Sequence, residues 1–233
     1  MSFRTAATAA AFTFVLAATS ALGGPFRDAE TELGQAYADY RTALFQTNQK
    51  DRTATDTALA TFQAKWTALS VTWKSAPPPQ YADDVKLTET LDAVARIANK
   101  AQVAASQGEL AQSHEILEGI RDQLGALRAR NSVISFSDRM NAYHEIMEHA
   151  SGMPDMTPAA ALEHAAVLVY LAKEIAANRP VSINSPGFDV ALKALEDSVT
   201  AFQNAARSGE KATIDATRRG LRPPYSRMFL RFG

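Results

Sequence analysis

The chain has no cysteine among its 233 residues, and that absence removes disulfides, thiolate metal sites, covalently attached c-type haem and thiol chemistry together. Neither sign of charge is in excess. Lys and Arg number 24 against 25 Asp and Glu, a net charge of −1 with His neutral. A chain so near neutrality has no global field to draw in nucleic acid or an anionic membrane. Strand signals are scarce as well, because β-branched runs are short and apolar residues recur at helical spacing instead. No Gly-rich phosphate loop, nucleophile elbow or pair of acid/base carboxylates stands out, so the expectation is a protein that is not an enzyme.

Long apolar runs are also missing. The segment AAAFTFVLAA, from Ala9 to Ala18, is too short and too rich in Ala and Thr for a membrane span. Arg4 precedes it, and the small-x-small triplet Ala21-Leu22-Gly23 follows. Residues 1–23 therefore read as a secretory signal peptide, with a periplasmic mature protein that has no transmembrane segment after cleavage. Without a cysteine near the cleavage point, lipoprotein attachment is excluded. Cleavage removes one arginine and no acid, leaving a net charge of −2. The remaining chain, of roughly 210 residues, is long enough to bury a core without disulfides.

What is present is helical periodicity. The spacing predicts an all-α, antiparallel helical bundle of about eight helices. The first runs from Arg27 to Gln46, and the second, capped by Thr55 or Asp56, carries Leu59, Phe62, Trp66, Leu69 and Trp73 before Pro77-Pro78-Pro79 stops it. The third spans Ala82 to Ser106 with Val85 on its apolar side, and Gly108 separates it from the fourth. Ser137 or Asp138 caps the fifth, and Thr157-Pro158 opens the sixth. A seventh helix covers about Phe188 to Ser208, and Pro223-Pro224 ends a shorter eighth. Tyr225, Met228, Phe229 and Phe232 of the basic, aromatic C-terminus are expected to fold back on the bundle.

An internal echo accompanies this pattern. Leu91 to Arg121 aligns with Leu192 to Arg222 at an offset of 101 residues, with GELAQSHEILEGIR beside GEKATIDATRRGLR. It reads as a duplicated helical hairpin. The expected organisation is an N-terminal helical bundle over residues 24–152 and a C-terminal helical unit with its tail over 153–233.

Chemistry concentrates in MNAYHEIMEHASGMPDM, from Met140 to Met156, which holds four of the six methionines and two of the four histidines. Thioether and imidazole are soft or borderline ligands. On a helical wheel Met140, His144 and Met147 fall within about 60° of one another, so one helix could aim sulfur, imidazole and sulfur at a single ion. The competing reading is that the methionines fill core and His144 is a hydrogen-bonded core histidine. A second candidate group is His149, Met153 and Met156 at the helix end, and His114 or His164 could supply an opposing ligand. His144 and His149 are five residues apart, about 140° around a helix, so the pair lacks the i, i+4 spacing of the zinc-protease H-E-x-x-H.

An exported, cysteine-free set of antiparallel helices with Met and His facing inward resembles the soluble b-type cytochrome and cytochrome c-prime group of four-helix bundles. The likeness is one of architecture and covers about Phe26 to Ser151. The Cys-x-x-Cys-His attachment is missing, and no Met lies between residues 2 and 139. The resemblance implies haem iron held by His144 or Met147. The expectation is thus a non-enzymatic copper- or haem-binding protein of metal handling or electron transfer. The alternative is a metal-free module that presents its helices to an envelope protein partner.

Overall fold

The computed structural model describes residues 24–180, 183 and 185–233, and they are all-helical. The expected signal peptide lies outside the described residues. Nine α-helices are present among them: α1 (Pro25–Asn48), α2 (Arg52–Ser75), α3 (Leu87–Ser106), α4 (Leu110–Arg130), α5 (Phe136–Gly152), α6 (Pro158–Ala177), α7 (Pro186–Ser208), α8 (Lys211–Arg219) and α9 (Arg222–Phe232). No helix is long and apolar enough to cross a membrane among the described residues.

Local chemistry explains the boundaries, and in several places moves them. Asp51, rather than Thr55 or Asp56, caps α2, its side chain accepting from the Ala54 amide at 2.9 Å. The second helix therefore starts a turn earlier than expected. Ser135, rather than Ser137 or Asp138, caps α5, and Asp138 answers from the third helical position in a reciprocal capping box. The third helix begins at Leu87 and not at Ala82. Asp84 ties up the intervening turn by accepting from the Lys86 amide, Arg130 and Asn131, which leaves Val85 exposed instead of buried. Thr157 caps α6 as expected, with Pro158 at its first position.

The duplicated hairpin has a structural counterpart at its turns. Gly108 ends α3 with φ +85° and Gly209, its equivalent, ends α7 with φ +72°. Each sits in the left-handed region that suits glycine. The copies then diverge, because α8 is nine residues long against 21 for α4. Leu221 is fully buried after α8, and Pro223-Pro224 lies in the first turn of α9, where prolines are tolerated. The two prolines therefore open a ninth helix where they were expected only to end the eighth.

Helices α1 to α4 pack around one another, α1 against α2 and α4, and α3 against α2 and α4. Helix α5 packs on α6, α8 and α9, so packing groups it with the C-terminal helices, not with residues 24–152. A single apolar cluster nevertheless runs through all nine helices. Helix α9 joins the two groups. Its Phe229 meets Tyr37 of α1 edge-on at 6.4 Å, and its Tyr225 stacks on Tyr143 of α5 at 5.6 Å. The C-terminal aromatics thus fold back onto the bundle as expected, Phe232 reaching Phe188 at 5.3 Å.

The two hairpin glycines give a direct test by urea denaturation. Gly108→Ala and Gly209→Ala should each cost about 1–2 kcal/mol, the left-handed penalty for a residue with a Cβ. Gly34→Ala, at an exposed mid-helix position with no atom within 4 Å of the added carbon, should gain about 0.5–1 kcal/mol. Equal effects at the three sites would remove the left-handed turn as the reason for these glycines.

Candidate functional site

Helices α4 and α5 make little direct contact, and the gap between them opens into a cleft of about 1050 Å³ closed by α1 and α9. Helical spacing populates its walls. His114, Glu118 and Arg121 lie at i, i+4 and i+7 on α4, and His144 and Glu148 lie at i and i+4 on α5. Arg222 and Tyr225 enter from α9, Arg41 and Leu44 from α1. The α4 and α5 contributions repeat one pentapeptide, HEILE at 114–118 and HEIME at 144–148.

Arg121 bridges these two helices. One amino group donates to Glu118 at 2.7 Å and the other lies 2.5 Å from His144 Nδ1. A guanidinium can only donate, so Nδ1 accepts and the ring proton sits on Nε2. That nitrogen faces Glu148 Oε1 at 3.6 Å, and Glu148 is in turn paired with Arg222. The His144 ring stacks on Tyr225 with centroids 5.2 Å apart. Burial, reinforced by Arg121 and Arg222, pushes the His144 pKa down to about 3. Its counterpart His114 is also lowered by burial. Thr47 donates its hydroxyl proton to the Leu44 carbonyl at 2.7 Å and so accepts from His114 Nδ1 at 2.8 Å, which leaves the ring's lone pair on Nε2, 3.8 Å from Glu118 Oε1.

Arg41 differs from the other arginines of the cleft. It is only 8% exposed, its Nε has no hydrogen-bond partner, and it makes no ion pair among the described residues. Its guanidinium lies 5.9 Å from the ring centres of both Tyr37 and Phe229. Burial lowers its pKa from the ordinary value, yet an arginine stays charged. By contrast, buried Arg128 reaches Glu30 and Asp138, each at 3.4 Å.

The residues singled out in the sequence fall into three places. Met140 and Met147 are fully buried in the apolar core, and Met147 reaches the cleft wall. His144 turns its nitrogens toward Arg121 and Glu148, with His114 in the same cleft. His149 and His164 meet elsewhere, on the surface between α5 and α6, while Met156 is buried and Met153 packs against the core. Among the described residues no three His, Asp or Glu side chains form a group suited to a metal ion. Sequence reasoning missed Arg41, Arg121, Arg222 and Tyr225 as cleft residues. The repeated HEIxE was the available signal, as was the register that equates Arg121 with Arg222.

The chain matches no family model, no curated protein and no solved structure.

His144 gives the site a pH signature. Between its ordinary pKa of 6.5 and its folded value of about 3, the unfolded chain takes up a proton that the folded site refuses. Stability should therefore fall on acidification through this window, by at most about 1.4 kcal/mol per pH unit for one proton. Denaturation curves of His144→Gln, which keeps an acceptor for Arg121, should be flatter than wild type between pH 6.5 and 5. Parallel curves would contradict the desolvated, arginine-flanked imidazole.

Proposed function

We propose that this is an exported, non-catalytic binding protein whose cleft between α1, α4, α5 and α9 takes a small organic carboxylate. One observation carries the reading: Arg41 is a buried cation with no anion beside it among the described residues. Burying an unpaired charge costs several kcal/mol, and an incoming carboxylate offsets that cost while matching the planar guanidinium fork. The other charges leave Arg41 as the unmatched one, because Arg121 is answered by Glu118, Arg222 by Glu148 and Arg128 by Glu30 and Asp138. The further carboxylates at the cleft edge, Asp122 and Glu145, are exposed and solvated. Leu44, Phe45 and Phe229 give the cleft an apolar side, and about 1050 Å³ is the scale of a small-molecule site, larger than an inorganic anion needs. Support for export is the signal-like pattern of residues 1–23.

A second reading keeps the metal within the ligand. Haem carries two carboxylates, and the unprotonated Nε2 of His114, 3.8 Å from Glu118 Oε1, is the imidazole position in the cleft best disposed to meet its iron. In this reading His114 replaces His144 as the first ligand, since His144 Nδ1 is held by Arg121.

Citrate and hemin separate these readings. Citrate at 100 times its Kd should stabilise the protein by about 2.7 kcal/mol, and Arg41→Gln should remove most of that gain. Hemin giving a Soret shift that disappears in His114→Ala would favour the second reading. A protein whose thermal midpoint and absorption ignore both compounds would overturn the cleft as a binding site and favour the metal-free interaction module.

A further inference from the structure

We propose that His149 of α5 and His164 of α6 together chelate one divalent transition-metal ion, Cu(II) or Zn(II), on the surface opposite the cleft side of α5. His149 Nδ1 and His164 Nε2 lie 3.2 Å apart, with ring centroids 5.0 Å apart and planes inclined at 55°. Two nitrogens bound at about 2.0–2.1 Å to one tetrahedral ion sit roughly 3.3 Å from each other. The observed spacing, which in the metal-free pair is that of a hydrogen bond, therefore also matches the bite of a bis-imidazole chelate.

The hydrogen bonding prepares one ligand. His164 Nδ1 lies 2.8 Å from the Ala160 carbonyl oxygen. A carbonyl only accepts, so Nδ1 carries the proton and Nε2 presents its lone pair toward His149. A metal-binding histidine that gives its second ring N–H to a backbone carbonyl has its tautomer and its ring orientation fixed in this way. In the metal-free state His149 supplies the proton shared between the two rings, from its own Nδ1. An ion displaces that proton, which moves to Nε2 of the same exposed ring, so the neutral pair binds without net proton release.

The backbone is also prepared. Ala150, next to His149, is fully buried, as are Ala161 and Ala165 beside His164, so both helical stems are clamped. Met156, 2% exposed in the linking turn, holds the two helices together from inside. That burial takes its thioether into the core, and Met153 packs against the same core. The set is therefore two imidazoles completed by water, which suits Cu(II) or Zn(II) better than Cu(I). Neither histidine forms an ion pair among the described residues, so the other coordination positions stay open to exchangeable ligands.

This site is separate from the cleft, and its test does not depend on the carboxylate reading. The untagged protein is titrated with Cu(II) and with Zn(II), and Cu(II) binding is also read by electron paramagnetic resonance. One ion per chain is expected, with hyperfine structure from two nitrogens and a raised thermal midpoint. His149→Ala and His164→Ala should each weaken binding by about 10- to 100-fold or more, the scale on which even outer partners of a metal site act. Their thermal midpoints without metal should match wild type. Binding that survives both substitutions, or that is lost instead in His114→Ala, would overturn the proposal. Failure of both metals to bind stoichiometrically would do the same.

Discussion

Everything distinctive in this structure depends on the way α9 is wedged between two groups of helices. Tyr225 stacks on Tyr143 and on Phe229, at 5.6 and 5.7 Å, and Phe229 continues the contact to Tyr37. These rings bury large apolar areas with defined geometry, and such aromatic pairs add about 0.5–1.5 kcal/mol each beyond area alone. Because the joint is made by α9, α4 and α5 need not pack on each other. The space between them is left for polar groups, and Arg121 spans it by hydrogen bonding to both sides. A four-helix bundle closed by its own loops would have filled that space with side chains. Here a C-terminal helix holds the walls apart and also forms part of the floor.

The arginines show how burial separates structural charge from charge held for a ligand. Arg128 is 4% exposed and Arg41 8%, and the Nε of each lacks a partner. Arg128 nevertheless has carboxylates from α1 and α5 within 3.4 Å, so its charge ties three helices and is answered within the fold. Among the described residues Arg41 has aromatic rings beside it and no acid. A fold selected only for stability would have little reason to keep a cation there, since an apolar residue of similar volume is usually no worse. The desolvated imidazoles fit the same logic. His144 is kept neutral by burial and by two flanking arginines, so the charge at the cleft wall is carried by guanidinium and carboxylate groups and not by its imidazole.

Most of the fold was legible in the sequence because helix periodicity, glycine stops and proline starts are local signals. Gly108 and Gly209 could be placed from the repeat alone, and Thr157-Pro158 marked a helix start without ambiguity. The errors have local causes of another kind. Asp51 and Ser135 took caps that neighbouring residues could equally have taken, and a cap is settled by which side chain reaches the free amides. Val85 looked like core until Asp84 committed its turn to Arg130 and Asn131, 46 and 47 residues away. Pro223-Pro224 gave the right break but not the helix after it. The site was less legible. Met140 and Met147 have the wheel positions of ligands and of core alike, and nothing in a single sequence separates them. Arg41 could not be singled out, since its meaning lies in the absence of a partner.

The five-residue spacing between His144 and His149 defeats a zinc-protease reading, and the same spacing organises the molecule. Residues five apart face about 140° away from each other on a helix, so α5 carries one histidine toward α4 and α9 and the other toward α6. Each then meets a different environment. His144 is desolvated, stacked on Tyr225 and engaged by Arg121. His149 is exposed and meets an imidazole whose second nitrogen is already committed to a carbonyl. The two imidazoles of α5 therefore cannot serve one centre. The Met- and His-rich segment is divided by the helix into a buried polar wall on one side and a solvent-facing pair on the other, with the methionines as the apolar filling between.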